Sequence, residues 1–198
     1  MKLYYLPGAC SMASHIVLNE LGVPAQFAKV LRDTKKTEDG ENYLTVNPNG
    51  YVPALRLDSG EVLTENAAIL PYLGDLKPAS GWMPENGMDR YRVLGWLGFI
   101  NSEIHANYKP LLMKQEAVQS FAQDRLKQRY RVADQHLGEH AYLIADQPSV
   151  ADAYLFVVTR WAGRVNLDLG EFGNLAAFMA RMQERPAVQK TLAEEGLT

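Results

Sequence analysis

The first third of the chain alternates short apolar stretches with helical apolar spacing. Four stretches have the length and composition of strands, at 2–6, 26–31, 54–57 and 61–63. Helical spacing follows at 11–21 and 65–76, with a shorter segment at 41–46. The turn Asp58-Ser59-Gly60 predicts a hairpin between the last two strands, and a helix between the first two predicts that they run parallel. The order β-α-β-α-β-β-α therefore predicts an α/β unit, a small mixed sheet with helices on its faces.

The remainder of the chain shows helical patterns only. They cover residues 89–113, 120–137, 149–165, 171–184 and 186–194. A Pro/Gly-rich stretch, K-P-A-S-G-W-M-P-E-N-G, precedes them, and Ser149 and Asp152 have the spacing of a capping box. We predict an α/β domain over 1–78, a linker over 79–87 and an all-helical domain over 88–198.

The composition limits the kinds of molecule that the protein can be expected to bind. The chain has 198 residues, with 47% hydrophobic and 22% charged residues, as in an ordinary globular protein. Twenty Lys and Arg against 23 Asp and Glu give a net charge of −3, which argues against nucleic acid or a membrane as the main partner. The single cysteine permits no internal disulfide, and neither a signal pattern nor a spanning apolar run is present. We expect a cytoplasmic protein.

The single cysteine, Cys10, lies where the first predicted strand gives way to a helix. Unpaired N–H groups and the positive end of the helix dipole favour the thiolate at such a position. The alternative is a buried cysteine that acts as a small hydrophobic side chain. The context of strand, Pro7, Gly8, cysteine and helix favours the reactive thiol.

Five motifs follow one another along the chain: Y-x-x-P-G-A-C-S-x-A-S-H, N-P-x-G-x-V-P-A-L, L-T-E-x-x-A-I, E-x-H and S-x-A-D-A-Y-L-F. In this order and over this length, the chain resembles the cytosolic glutathione S-transferases, most closely the bacterial beta class. The resemblance implies a thioredoxin-like first domain, glutathione as co-substrate with no other cofactor, a hydrophobic electrophile as second substrate, and a homodimer.

The resemblance also implies residues that bind glutathione. Pro53 would follow a cis peptide bond, and the backbone of Val52 would pair with the cysteinyl unit like an added strand. Glu65 and Asn66 open a helix whose predicted N-cap is Thr64. These two residues would contact the γ-glutamyl end of glutathione. Lys35 would bind the glycyl carboxylate.

Other implied residues surround the sulfur. Cys10 would contact the glutathione sulfur or form a mixed disulfide with it, and His105 would hold the sulfur as a hydrogen-bond donor or as imidazolium. Ser102 and Glu103, which belong to the same motif as His105, would also bind glutathione. Tyr5 has a secondary catalytic role, since the cysteine is central in the beta class.

Further assignments concern the sulfur, a metal, the electrophile and the subunit contact. Ser11 could donate a hydrogen bond to the sulfur or cap the helix, and the sequence does not separate the two. The helical spacing of His136 and His140 suits a metal pair, but the sequence offers no third ligand, so no metal site is predicted. The electrophile pocket is expected against Tyr108, Leu112 and Trp161. Leu73, Tyr91 and Val93 are expected to lie either in the dimer interface or in the core of one chain.

Two departures from the family pattern bear on function. Gly98 replaces a common asparagine, and Ala106 replaces a common lysine, so both changes should weaken or reshape the glutathione site. The predicted function is conjugation of glutathione to hydrophobic electrophiles. One alternative is a monothiol disulfide oxidoreductase that cycles through glutathionylated Cys10. Another is a non-catalytic ligand-binding protein, which the two departures favour slightly.

Overall fold

Four strands form one sheet in the computed structural model, which describes residues 1–113, 115–144 and 146–198. The strands are β1 (Lys2–Tyr5), β2 (Gln26–Lys29), β3 (Ala54–Arg56) and β4 (Val62–Thr64). Two helices pack on the sheet unit, α1 (Met12–Leu21) and α2 (Asn66–Asp75). This arrangement confirms the predicted α/β fold class.

The sheet has the strand order β2-β1-β3-β4. Strand β1 runs parallel to β2 and antiparallel to β3, and β3 runs antiparallel to β4. The hairpin between β3 and β4 closes where the Leu57 N–H donates to the Glu61 carbonyl at 2.8 Å. Gly60 has φ +90° in that turn, a conformation that residues with a Cβ rarely adopt. The predicted parallel pair and the predicted hairpin are both confirmed.

The second half of the chain is helical. Its helices are α3 (Gly87–Phe99), a π-helix (Ile100–His105), α4 (Ala106–Tyr108), α5 (Glu116–Leu137), α6 (Val150–Thr159), α7 (Gly173–Gln183) and α8 (Pro186–Glu194). Short 3₁₀ segments occupy Lys109–Leu112 and Arg160–Val165. The prediction of one continuous helix over 89–113 was wrong. A π turn interrupts it, and Pro110, which has no N–H to donate, lies in the 3₁₀ segment that follows.

Two local predictions in the first half also need correction. The segment 41–46 forms only a 3₁₀ turn over Tyr43–Thr45, whose N-terminus is capped where the Leu44 N–H donates to the Asn42 side chain. At the start of α2, the N-cap position belongs to Glu65 rather than Thr64. Glu65 has φ +68°, which is unusual for a residue other than glycine.

Helix α6 is buried along its whole length and forms the centre of the helical half. The predicted capping box at its start is confirmed, because the Asp152 carboxylate accepts the Ser149 N–H at 2.8 Å. The same carboxylate accepts the Leu143 N–H at 2.9 Å. Burial raises the pKa of Asp152 to about 6. These bonds fix α6, which carries Tyr154 towards the first half of the chain.

The stretch predicted as a linker is packed rather than loose. Trp82 and Met83 are buried in it, and the Val150 N–H at the start of α6 donates to the Trp82 carbonyl at 3.0 Å. One hydrophobic cluster runs through both halves of the chain. The domain boundaries at 78 and 88 stay a prediction. No helix in the described part of the chain is long and apolar enough to cross a membrane.

The three positions predicted to lie either in the dimer interface or in the core differ in how far they are buried. Leu73 and Val93 are fully buried in the hydrophobic cluster, so they are core residues. Tyr91, on the outer face of α3, is 65% exposed and remains available for a contact between subunits.

We predict that Gly74→Ala destabilises the protein. A Cβ at Gly74 would lie 2.4 Å from the Cβ of Met83, so α2 and the 82–83 stretch would have to separate. The expected loss is about 1–3 kcal/mol in the free energy of unfolding, measured by urea denaturation. Gly173→Ala, where the added Cβ meets nothing within 4 Å at the start of α7, is the matched control and should not destabilise. Equal stability of the two variants would contradict the tight contact.

Candidate active site

A cavity of about 240 Å³ lies between the two halves of the chain. Its wall contains six of the residues singled out in the sequence, namely Cys10, Val52, Pro53, Glu65, Asn66 and His105. Four further residues complete the wall, namely Asn47, Tyr51, Asn101 and Tyr154. The cavity thus brings together a thiol, an edge of the backbone, a helix start and an imidazole.

The loop that carries Cys10 is held at Gly8 by the C-terminal half of the chain. The Gly8 N–H donates to the Glu195 carboxylate at 2.8 Å, and the Gly8 carbonyl accepts the Trp161 indole N–H at 2.9 Å. Glu195 is itself fixed, since its other oxygen lies 3.0 Å from Nδ1 of the buried His15. Gly8 has φ +65°, and a Cβ there would overlap the Arg164 guanidinium. Both polar atoms of the Gly8 backbone are therefore fixed two residues before the thiol.

Cys10 is partly buried and lies just before the first turn of α1. Its thiol donates a hydrogen bond to the Val52 carbonyl at 3.1 Å. Burial raises the pKa of this thiol to about 12, and the charge of Glu65 acts in the same direction. The backbone N–H groups of Cys10 and Ser11 lower the pKa, but by less than burial raises it. Burial therefore favours the protonated thiol, contrary to the expectation that the helix start favours the thiolate.

The peptide bond between Val52 and Pro53 is cis, as expected. The segment before it is held where the Tyr51 carbonyl accepts the Tyr43 hydroxyl at 2.6 Å and the Asn47 amide at 2.8 Å. The Val52 N–H has no partner among the hydrogen bonds of the described residues. Val52 therefore presents one unpaired backbone donor beside the cavity.

Glu65 and Asn66 have different surroundings although they are adjacent. Glu65 is exposed at the start of α2 and lines the cavity. The side chain of Asn66 is buried, its amide donates to the Cys10 carbonyl at 2.9 Å, and its oxygen accepts the Ser14 hydroxyl at 3.0 Å. The Asn66 side chain thus ties α2 to the Cys10 loop, and only its backbone N–H is left for a ligand.

His105 lines the cavity from the end of the π-helix. Its Nδ1 lies 2.6 Å from the hydroxyl of Tyr154, and its ring lies edge-on to Trp161 with centroids 4.9 Å apart. Burial lowers the pKa of His105 to about 4, so the ring is neutral at physiological pH. Of the two roles expected for His105, burial thus disfavours the imidazolium before any proton transfer.

Two residues predicted to be catalytic do not line the cavity. Tyr5 packs edge-on against His15 and Phe27, with ring centroids 5.7 and 6.4 Å apart, and burial raises its pKa. Ser11 is fully buried, and its hydroxyl oxygen accepts the Leu6 N–H at 3.1 Å. The Ser11 side chain neither caps α1 nor reaches the cavity, because it closes the turn after β1 instead.

Ser102 and Glu103 point away from the cavity. The Ser102 hydroxyl donates to the Gly98 carbonyl at 2.9 Å, one turn back on the same helix. Glu103 pairs with Arg129 at 2.6 Å and Arg125 at 3.2 Å on α5, and these arginines lower its pKa. Neither residue is among those that line the cavity of its own chain, so their contact with glutathione stays a prediction.

Lys35 lies beyond the wall of the cavity. It has φ +54°, and its ammonium donates to the Gly50 carbonyl at 3.0 Å, next to the cavity residue Tyr51. The two departures from the family pattern, Gly98 and Ala106, are not wall residues either. A Cβ at Gly98 would meet nothing within 4 Å.

The expected electrophile pocket is only partly formed as predicted. Tyr108 is buried beside Trp161, with ring centroids 5.4 Å apart, and its hydroxyl lies 2.7 Å from that of Tyr130. Leu112 is 75% exposed at the end of the 3₁₀ segment, and its assignment to the pocket stays a prediction. The face of Trp161, which is only partly buried, remains as candidate surface for an apolar substrate.

The histidine pair lies away from this cavity. The rings of His136 and His140 are 4.8 Å apart, and Nε2 of His136 lies 3.0 Å from the Leu143 carbonyl. Burial lowers the pKa of His136.

The sequence offered signals for most of the wall residues that it did not single out. Asn47 and Tyr51 stand in the motif N-P-N-G-Y-V-P, and Tyr154 stands in A-D-A-Y-L-F. Asn101 lies four residues before His105, which places both on one side of the helix.

Comparison with known proteins covers most of the chain. Residues 8–76 match the family described as "Glutathione S-transferase, N-terminal domain", and residues 93–186 match "Glutathione S-transferase, C-terminal domain". The chain is 42% identical to glutathione S-transferase GstA of Escherichia coli O157:H7, over the full length of both. A sphingomonad glutathione S-transferase solved with glutathione has 43% identity and a TM-score of 0.95, over the whole of both chains. The bacterial beta-class enzyme of Sphingomonas chungbukensis has 41% identity and a TM-score of 0.95, over the same coverage.

We predict that Cys10 stays protonated across the physiological range. Its pKa of about 12 means that the ultraviolet absorbance of the thiolate should not rise between about pH 6 and about pH 9. Since Cys10 is the only cysteine, the Cys10→Ser variant supplies the baseline for the same titration. A titration midpoint below about pH 8 would contradict this prediction, because the helix start would then lower the pKa of the thiol by more than burial raises it.

Proposed function

The chain belongs to the glutathione S-transferase family, and we propose that this glutathione transferase joins the sulfur of glutathione to hydrophobic electrophiles in the cavity at Cys10. One observation carries the proposal. A protonated thiol, an unpaired backbone N–H and a free helix start face one cavity, and these are the groups that a tripeptide thiol needs.

The backbone of glutathione would lie along Val52. The Val52 N–H has no partner among the described residues and can donate to the cysteinyl carbonyl, as in strand addition. The Val52 carbonyl accepts the Cys10 thiol at 3.1 Å. When the thiol of Cys10 turns to the glutathione sulfur, that carbonyl becomes free to accept the cysteinyl N–H. A single rotation of the Cys10 thiol therefore gives the glutathione sulfur a hydrogen-bond donor and frees the Val52 carbonyl for the glutathione backbone.

The γ-glutamyl end would bind at the start of α2. The N–H groups of Asn66 and Ala67 open the helix without a partner in the described chain, and they suit the carboxylate. The Glu65 carboxylate forms no ion pair with any residue in 1–113, 115–144 and 146–198, so it can meet the ammonium group. The opposite, glycyl end would reach the edge formed by Asn47 and Tyr51, with Lys35 beside it.

Cys10 would act as a hydrogen-bond donor to the glutathione sulfur. Burial raises the pKa of Cys10 to about 12, so the protonated thiol dominates at pH 7. Attack on a disulfide requires the thiolate, so this protonation state disfavours the monothiol oxidoreductase. A protonated thiol can instead donate to the anionic sulfur of glutathione, and a hydrogen bond to a charged group contributes about 1.5–3 kcal/mol.

The electrophile would lie against the aromatic wall of the helical half. The Trp161 ring is edge-on to both His105 and Tyr108, at 4.9 and 5.4 Å between centroids. The Trp161 N–H is bonded to the Gly8 carbonyl, which leaves the ring rather than the polar edge for a substrate. A flat apolar electrophile stacked there would be held beside the sulfur, which lowers the entropy cost of the reaction.

We also propose that the enzyme acts as a homodimer. Met88, Tyr91 and Leu94 are exposed apolar residues on one side of α3, and they suit a contact with a second copy.

We predict that Cys10→Ala lowers kcat/KM for an aryl halide about 10- to 100-fold, because it removes the donor to the thiolate. Cys10→Ser keeps a donor at the same place and should lose less than about fivefold. The measurement is steady-state conjugation with both substrates varied. Wild-type rates for Cys10→Ala would contradict the donor role, and a wild-type protein that binds glutathione without turnover would support the ligand-binding alternative.

We predict that Glu65→Gln raises KM for glutathione about tenfold with little change in kcat. The substitution removes the charge opposite the ammonium group but leaves the sulfur environment intact. Glu61→Gln is the matched control, since Glu61 is an exposed carboxylate in the β3–β4 hairpin that contacts Ser59 rather than the cavity. Equal KM values for the two variants would place the γ-glutamyl end elsewhere.

A further inference from the structure

His105, Tyr154 and Asn101 form a chain of hydrogen bonds at the wall of the cavity. Nδ1 of His105 lies 2.6 Å from the Tyr154 hydroxyl oxygen, and that hydroxyl donates to the Asn101 side-chain oxygen at 3.0 Å. The three residues come from the π-helix and from α6. Neither Tyr154 nor Asn101 has an assigned role in the function proposed above.

The direction of each hydrogen bond follows from counting hydrogens. The Asn101 oxygen can only accept, so the one hydrogen of the Tyr154 hydroxyl points to Asn101. The Tyr154 oxygen is then left with lone pairs towards His105, and Nδ1 must carry a hydrogen to bond with it. A neutral imidazole has only one N–H, so Nε2 carries the lone pair.

We propose that Tyr154 and Asn101 are positioning residues that hold His105 in the Nδ1–H tautomer, so that Nε2 can take the proton from the glutathione thiol. This inference rests on the proposed function, because it concerns the same cavity and the same sulfur. It replaces the expectation that His105 is a hydrogen-bond donor to the sulfur at the start of the reaction.

The surroundings of the ring support this role. Burial lowers the pKa of His105 to about 4, so the lone pair on Nε2 is free before the reaction, and the negative charge that forms on the adjacent sulfur raises the pKa of the ring as the proton moves. Nε2 has no hydrogen-bond partner within residues 1–113, 115–144 and 146–198. Trp161 lies edge-on to the ring with centroids 4.9 Å apart and limits its rotation.

The proton transfer balances without a further reactant. The hydrogen of the glutathione thiol moves to Nε2, and the sulfur keeps the electron pair of the broken S–H bond. The sulfur then forms the bond to the electrophilic carbon, whose leaving group departs with its own electron pair. The imidazolium returns the proton to water after the product leaves. While the ring is charged, the Tyr154 oxygen accepts from Nδ1–H and stabilises the charge.

The test is the tautomer of His105, read from long-range ¹H–¹⁵N correlation spectra of the ¹⁵N-labelled protein without glutathione. The spectrum of His105→Gln assigns the signals by their loss. In the wild type, Nδ1 should be protonated and Nε2 unprotonated at neutral pH. A protonated Nε2 in the wild type would overturn the proposal.

Substitutions at Asn101 provide a second test, because they change the direction of the hydrogen bonds that join Asn101, Tyr154 and His105. Asn101→Leu removes the acceptor, so the Tyr154 hydroxyl turns to donate to Nδ1 and the proton on His105 moves to Nε2. Asn101→Asp keeps an acceptor and should keep the wild-type tautomer. Asn107→Leu is the matched control, since Asn107 donates to the Glu103 carbonyl and does not line the cavity. An unchanged tautomer in Asn101→Leu would overturn the proposal.

Kinetics link the tautomer to the reaction. Asn101→Leu should lower kcat about tenfold or more, with KM for glutathione within about twofold of the wild type, whereas Asn107→Leu should match the wild type. A swapped tautomer with unchanged kcat would overturn the catalytic part of the proposal. A wild type with the expected tautomer but no conjugation of any electrophile would leave the tautomer assignment intact and refute the proposed function instead.

Discussion

The backbone of Gly8 is held by the C-terminal half of the chain at both of its polar atoms, and the site depends on that constraint. Glu195 accepts from its N–H, and Trp161 donates to its carbonyl. The Cys10 carbonyl is fixed in turn by the Asn66 side chain from α2. The thiol is therefore placed by elements from the two ends of the sequence, and the cavity exists only where the two halves meet.

Burial then decides the protonation state of both groups at the sulfur. The Cys10 thiol and the His105 ring are both neutral at physiological pH, since burial disfavours the charged form of each. A neutral thiol can donate and a neutral imidazole can accept, so the two groups complement each other around an ionising sulfur. This pairing favours stabilisation of the glutathione thiolate over a redox cycle at Cys10.

The sequence predicted the parts that depend on local chemistry. The parallel pair β1–β2, the Asp58–Gly60 hairpin and the capping box at Ser149 follow from short patterns, the cis bond before Pro53 was implied by the family resemblance, and all are confirmed. The placement of Cys10 beside Val52 was also predicted. The protonation state of Cys10 was not, because the helix start is visible in the sequence whereas the depth of burial is not.

The helical half was harder to predict because the phase of the helix decides which residues face the cavity. Seven residues make about two turns of an α-helix, so Gly98 should share a face with His105. The π turn between them adds a residue to the turn, and the wall contains Asn101 instead. The chain thus lacks the amide that the family pattern expects at 98 but presents an amide at 101, where it contacts Tyr154.

The most direct test of this account is a crystal structure of the protein with glutathione bound. The glutathione sulfur should lie within hydrogen-bond distance of both Cys10 Sγ and His105 Nε2, with the cysteinyl backbone paired to Val52. A tripeptide bound elsewhere, or a sulfur turned away from Cys10, would contradict it.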